Sequence, residues 1–374
     1  MALFDLAPKE SPDALFGRDR EVAELTRLIA ARRWVVVLGP RMVGKTSLVK
    51  AVRARLRRPG AYVNLWGVRS VQGLVEGLIG GINDSATLRA RLVRAARRLD
   101  GFSAGPSGIS LSGSRPPLRS AWDLLNLLGA ENRDCVVVLD EVQELSSNSG
   151  NLLKLLGNVF NTRPNVVFVF TGSLVGLSRT LLEPTNVSPL YGRAPVSLTL
   201  QPFDQSTSRD FLHRGAAESG IELSLEDVSE AISGPLDGTP GWLTLYGNHV
   251  AVQKLSPRRA LTETIQEGKK AAQADIARFL VPREVSLYWP ALKSIATGAS
   301  WGSVREYMSL GTSEDVNDGK VQRVIKALES NYIVRRVEDR YECVDPMVRT
   351  YLLEAANPPR SRSTSSLNGR RADR

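Results

Sequence analysis

One stretch constrains this chain more than any other: Trp34-Val35-Val36-Val37-Leu38 followed by Gly39-Pro40-Arg41-Met42-Val43-Gly44-Lys45-Thr46-Ser47. A continuous apolar, β-branched run ending in glycine reads as a strand buried on both faces, as in the middle of a parallel sheet. Gly39 to Thr46 match G-x-x-x-x-G-K-[ST], and a helical pattern over 46–56 follows at once. Strand, glycine loop and helix in that order let backbone N–H groups and the helix dipole cradle phosphate. Residues 39–47 are therefore expected to bind ATP, with Lys45 reaching the β and γ phosphates and Thr46 ligating Mg²⁺.

Similar apolar runs recur at 61–65, 135–139 and 165–170, with a weaker one at 195–200. Helical patterns lie between them, including 88–99, where Leu88, Leu92, Ala95, Ala96 and Leu99 share a face. The alternation predicts a parallel α/β sheet. The run at 135–139 ends in Asp140 and Glu141. Asp140 is placed to hold Mg²⁺, directly or through water, and Glu141 to orient and deprotonate the attacking water. A strand-terminal turn with solvated acids is the bland alternative. The run at 61–65 comes between the phosphate-loop strand and the acidic one, which with Glu141 points to the additional-strand ATPases rather than small-molecule kinases. The fourth run continues into Thr171-Gly172-Ser173, where Ser173 is a candidate γ-phosphate sensor, helix capping being the rival reading. Arg193 precedes the fifth run and is expected near the nucleotide edge of the sheet, where it would stabilise charge on the transferring phosphoryl.

Composition narrows the classes further. No apolar run approaches the roughly 20 residues of a membrane span, and the first residues carry neither a basic leader nor an apolar signal core, so a cytoplasmic protein without a membrane partner is expected. Cys135 and Cys343 lie apart inside apolar runs and read as small core residues. With His213 and His249 the only histidines, no metal cluster is visible. Of the net charge of +10, most arises in residues 51–98, which hold ten arginines against Glu76 and Asp84. Those helices are an electrostatic footprint for nucleic acid or an acidic protein partner, or else a solvated face.

Together these residues resemble the archaeal-type ATPase family within the STAND class of AAA+-related ATPases. The resemblance is carried by Phe16-Gly17-Arg18, the phosphate loop, Leu139-Asp140-Glu141, Phe170 to Ser173, Leu190-Tyr191-Gly192-Arg193, Gly238-Thr239-Pro240 and Tyr341 to Pro346. It implies that Phe16, Arg18 and Pro240 pack near the adenine and that Arg193 approaches the γ phosphate, in its own subunit or a neighbour's. Many relatives carry a nuclease-like extension, which is not expected here.

The expected architecture is a parallel-sheet P-loop NTPase of the additional-strand type (1–202), a helical lid region (203–281), a winged-helix domain (282–356) and a disordered basic tail (357–374). The winged helix is read from the order helix 284–296, helix 301–308, helix 318–330 and strands 332–337 and 340–344. Its third helix offers Lys320, Arg323 and Lys326 on one face for DNA. Residues 283–354, however, carry ten basic and eleven acidic side chains, weak footing for phosphate-driven affinity. The leading expectation is a slowly hydrolysing ATP switch, with a homo-oligomer among its candidate assemblies; the alternative is a DNA-binding initiator resembling origin-recognition ATPases.

Overall fold

The computed structural model describes residues 2–97, 99–113, 115–130, 134–172, 181–182, 184–234, 236–312 and 315–359. The expected sensor Ser173 and most of the expected tail lie outside them.

Five parallel strands form the central sheet: β1 (Val35–Leu38), β2 (Gly60–Asn64), β5 (Cys135–Asp140), β6 (Val166–Thr171) and β7 (Val196–Thr199), in the order β2-β5-β6-β1-β7. The three central strands are buried along their whole length, whereas edge strand β7 alternates between half-buried and exposed. That contrast is what continuous valine-rich runs and a weaker alternating run require. The strand standing between β1 and β5 is β6. Strand β2, which intervenes in sequence, is at the far edge of the sheet. The aromatic centre is Trp34, whose ring meets Phe160, Phe168 and Phe170 at centroid distances of 5.2, 4.8 and 6.1 Å. Its indole N–H donates to the Val166 carbonyl at 3.0 Å.

Helices α1 (Asp19–Ala30), α2 (Lys45–Leu56), α3 (Val71–Asn83), α4 (Ala86–Ala96), α5 (Pro117–Gly129) and α6 (Ser149–Thr162) cover the sheet. The Gly- and Ser-rich excursion after α4 contains a hairpin of β3 (Phe102–Gly105) and β4 (Gly108–Leu111). Both cysteines are free and buried, and desolvation pushes each thiol up to about 12.

Past the sheet come α7 (Gln205–Glu218), α8 (Leu225–Ser233), α9 (Pro240–Ala251) and the long α10 (Pro257–Leu280). The chain then forms α11 (Val285–Ala296), β8 (Ala299–Ser300), α12 (Trp301–Thr312), α13 (Asp318–Ser330), β9 (Val334–Val337), β10 (Arg340–Cys343) and α14 (Pro346–Glu354). The three short strands make an antiparallel sheet in the order β8-β10-β9. One hydrophobic core runs from α7 through α14, separate from the core of the α/β unit.

Leu3 and Phe4 belong to this second core, although the sequence reading assigned them to the first domain. The Phe4 ring lies so close to α7 and α9 that a Cβ on Gly215 or Gly247 would approach it within 2.4 or 2.2 Å. Its carbonyl accepts from the Asn248 side chain at 3.0 Å. Phe4→Ala should cost about 3–5 kcal/mol, because a rigid slot between two glycine-bearing helices collapses poorly. A lowered melting temperature in calorimetry checks this.

Candidate functional site

The phosphate loop joins the end of β1 to α2 with Gly39, Met42 and Gly44 at positive φ (144°, 62° and 97°). Its outward carbonyls have partners. Arg18, only 6% exposed, donates from Nη2 to the carbonyls of Val43 (3.1 Å) and Gln201 (2.7 Å) and from Nη1 to Glu21 (2.8 Å). Gly241, in the first turn of α9, donates its N–H to the Met42 carbonyl at 2.8 Å. A Cβ on Gly241 would stand 2.7 Å from the Met42 Cβ, so only glycine permits this approach. Lys45 Nζ donates to the carbonyls of Gly39 (2.9 Å) and Pro40 (2.8 Å). Desolvation lowers the Lys45 ammonium below the ordinary lysine range, against the opposing fields of Glu141 and Asp140. An anionic phosphate would add to the field of those two carboxylates and favour the charged ammonium.

Beside the loop, Asp140 is 3% exposed at the end of β5. Thr46 donates its hydroxyl to Asp140 Oδ2 at 2.9 Å, and the hydroxyls of Tyr62 and Thr171 donate to Oδ2 and Oδ1. Burial, then the Asp140 charge, raises the Tyr62 phenol well above its usual value, which keeps it a donor. Glu141 sits at φ +60°, a region that costs a non-glycine residue strain and that recurs at functional sites. Its N–H donates to Thr171 Oγ1 at 3.1 Å, and its carboxylate accepts from the Gln143 side chain. Mg²⁺ suits this donor set: one carboxylate and one hydroxyl, with no group of three His, Cys, Asp or Glu among the described residues. That ion keeps several waters and takes phosphate oxygens, so two protein ligands suffice.

The loop forms one wall of a cavity of about 830 Å³. Phe16, Arg18 and Pro240 line it along with Gly39 to Ser47 and Glu141. The other walls come from α10 and from the C-terminal unit through Tyr332, Asp345 and Val348. Two polar contacts span it: Arg41 to Asp275 at 2.5 Å, and Arg278 over the Trp66 ring at 4.9 Å with its Nη1 3.9 Å from Glu144. The N-terminal segment also crosses it, with Lys9 N–H donating to Ser47 Oγ at 3.1 Å.

Arg193 is elsewhere. It precedes β7, and in a parallel sheet that is the edge opposite the phosphate loop. Its guanidinium lies 5.4 Å from the Phe160 ring and donates to Asn161. Arg18 differs in another way, since it braces the loop from behind. Tyr62 and Arg278 are residues of the site that sequence reasoning did not single out, and Thr171 and Gly241 fall in or beside the segments whose candidate residues were Ser173 and Pro240.

A sequence model of an ATPase domain found predominantly in Archaea matches residues 15–245. The chain belongs to that family. This archaeal-type ATPase superposes on the Walker-type ATPase PABY2304 of Pyrococcus abyssi with a TM-score of 0.73 and 27% identity, over 94% of this chain and 99% of that one. Against the ORC2 protein of Aeropyrum pernix, in its ADPNP–ADP complexes, the TM-score is 0.62 at 16% identity, over 94% and 95% of the two chains, a likeness of fold. No curated protein sequence matches. Among the described residues no helix is long and apolar enough to cross a membrane.

Arg18→Ala should weaken ATP binding about tenfold or more, because the Val43 and Gln201 carbonyls lose a charged donor worth about 1.5–3 kcal/mol; calorimetric titration reads this directly. Asp345, buried at the N-cap of α14, has its carboxyl raised to about 6, chiefly by desolvation. A carboxyl raised on folding favours the folded state at low pH, and that contribution fades as pH rises from about 4, the unfolded value, through about 6. Asp345→Asn should therefore gain stability relative to wild type, by about 2–3 kcal/mol, across that window. Paired denaturation curves from pH 4 to 7 test the sign.

Proposed function

We propose that the protein is an ATP-driven switch in which MgATP, held in the shared cavity, fixes the α/β unit against the helical and C-terminal unit, and slow hydrolysis releases them. The observation that carries this reading is the cavity's composite wall: Lys45 and Thr46 on one side, Asp275 and Asp345 on the other. Lys45 would neutralise the β and γ phosphates, Thr46 and Asp140 would hold Mg²⁺, and Glu141 would orient the attacking water. Slow turnover fits a Glu141 already engaged by Gln143, and an Arg193 that can reach a nucleotide only from a neighbouring subunit. That last role would require a homo-oligomer.

We read α11 to α13 with the β8-β10-β9 sheet as a winged helix serving as lid, which its near-zero net charge favours over duplex binding. STAND membership, an exchange of conformations driven by nucleotide, accords with this arrangement. The second reading is a DNA-binding initiator using Lys320, Arg323 and Lys326; Arg323 and Lys326 are exposed on α13.

Lys45→Ala should abolish ATP binding, and Glu141→Gln should preserve it while lowering turnover by a factor on the order of 10² to 10⁴. Titration calorimetry and phosphate release measure the two. Equal ATP affinity for wild type and Lys45→Ala would sink the proposal.

A further inference from the structure

All five strands of the main sheet run in one direction, so the residues that lead into them meet at a single edge, opposite the nucleotide cavity. Arginines precede four of the five strands by two or three positions: Arg57 and Arg58 before β2, Arg163 before β6, Arg32 and Arg33 before β1, and Arg193 before β7. Asp134, before β5, is the one acid in the described lead-ins. It is shared between Arg32 at 2.8 Å and Arg58 at 2.9 Å. Arg163 is held instead by the Asn126 side-chain oxygen at 2.8 Å, and Arg193 by that of Asn161. Those acceptors are neutral, so they orient the guanidinium planes and leave their charge in place. Arg32, Arg33, Arg57 and Arg193 are exposed.

The backbone supplies an independent observation. Arg32 and Arg57 follow α1 and α2 with φ of +55° and +49°, the left-handed conformation in which helices usually end on glycine. A side chain there costs strain, yet both positions carry an exposed arginine.

We propose that this N-terminal edge of the sheet binds the phosphodiester backbone of a nucleic acid. Five strands about 4.8 Å apart give a rim about 19 Å wide, along which a duplex presents about ten phosphate charges. Forked guanidiniums match phosphate oxygens bidentately. A protein partner is disfavoured because the core of a protein interface is depleted in charge and built on apolar or aromatic anchors, whereas the lead-ins are dominated by cations. The site is separate from α13 and from the ATP cavity, and it stands without the switch reading.

The test is fluorescence anisotropy of the full-length protein with labelled duplex DNA, single-stranded DNA and duplex RNA of equal length, over a salt series. The variant Arg32→Gly/Arg57→Gly removes two charges at positions where glycine relieves strain. It should bind at least about tenfold more weakly at low salt, with the slope of log K against log salt reduced by about 2, while ATP turnover is unchanged. Arg33→Gln/Arg163→Gln should act in the same direction, so a folding defect in one variant leaves the other decisive. Lys320→Ala/Arg323→Ala/Lys326→Ala should retain wild-type slope. The preferred ligand among the three identifies the natural class. The proposal is overturned if wild type binds none of them at low salt, if the rim variants keep wild-type affinity and slope while the α13 variant loses them, or if a labelled polyglutamate peptide binds as tightly as nucleic acid.

Discussion

The structure turns on how the phosphate loop is held from behind. A glycine loop can present its N–H groups to phosphate only if its carbonyls point away and find donors there, since buried carbonyls without partners are costly. Arg18 supplies donors to Val43 and, across the sheet edge, to Gln201, and the first turn of α9 supplies one to Met42. One brace is internal to the α/β unit. The other belongs to the helical unit, so the shape of the loop and the position of α9 are coupled by a single backbone hydrogen bond at a glycine that admits no side chain.

That coupling is reinforced around the cavity. Asp275 and Arg278 lie one turn apart on α10 and meet Arg41, within the phosphate loop, and Glu144, three residues past Glu141. The N-terminal segment ties the same two units from the other side, with Phe4 seated between α7 and α9 and Lys9 bonded to Ser47. Apolar contacts join the two units as well: the Phe16 ring lies 5.5 Å from that of Phe211 on α7, Met42 packs against the second core, and Tyr332 packs against the first.

Much of this was legible in the sequence wherever the chemistry is local. Valine-rich runs identify the buried strands, and Lys45, Thr46, Asp140 and Glu141 follow from short motifs whose spacing the backbone geometry dictates. Residues whose roles depend on distant pairing were not. Tyr62 reads as one more apolar strand residue until the β2–β5 register brings its hydroxyl to Asp140. Arg193 is misread because sequence order hides strand direction: a residue before a parallel strand falls at the edge away from the loop. Phe4 precedes the α/β unit in the chain but finds its slot beside helices that come two hundred residues later, a pairing visible only in three dimensions.

The most direct measurement is amide hydrogen exchange at Gly241 with and without a non-hydrolysable MgATP analogue. Its N–H is bonded to Met42, inside the phosphate loop but read from the helical unit. Coupling through this bond predicts that exchange at Gly241 slows in step with residues 39–46 when the analogue binds. Slowed exchange confined to the loop, with Gly241 unchanged, would contradict it.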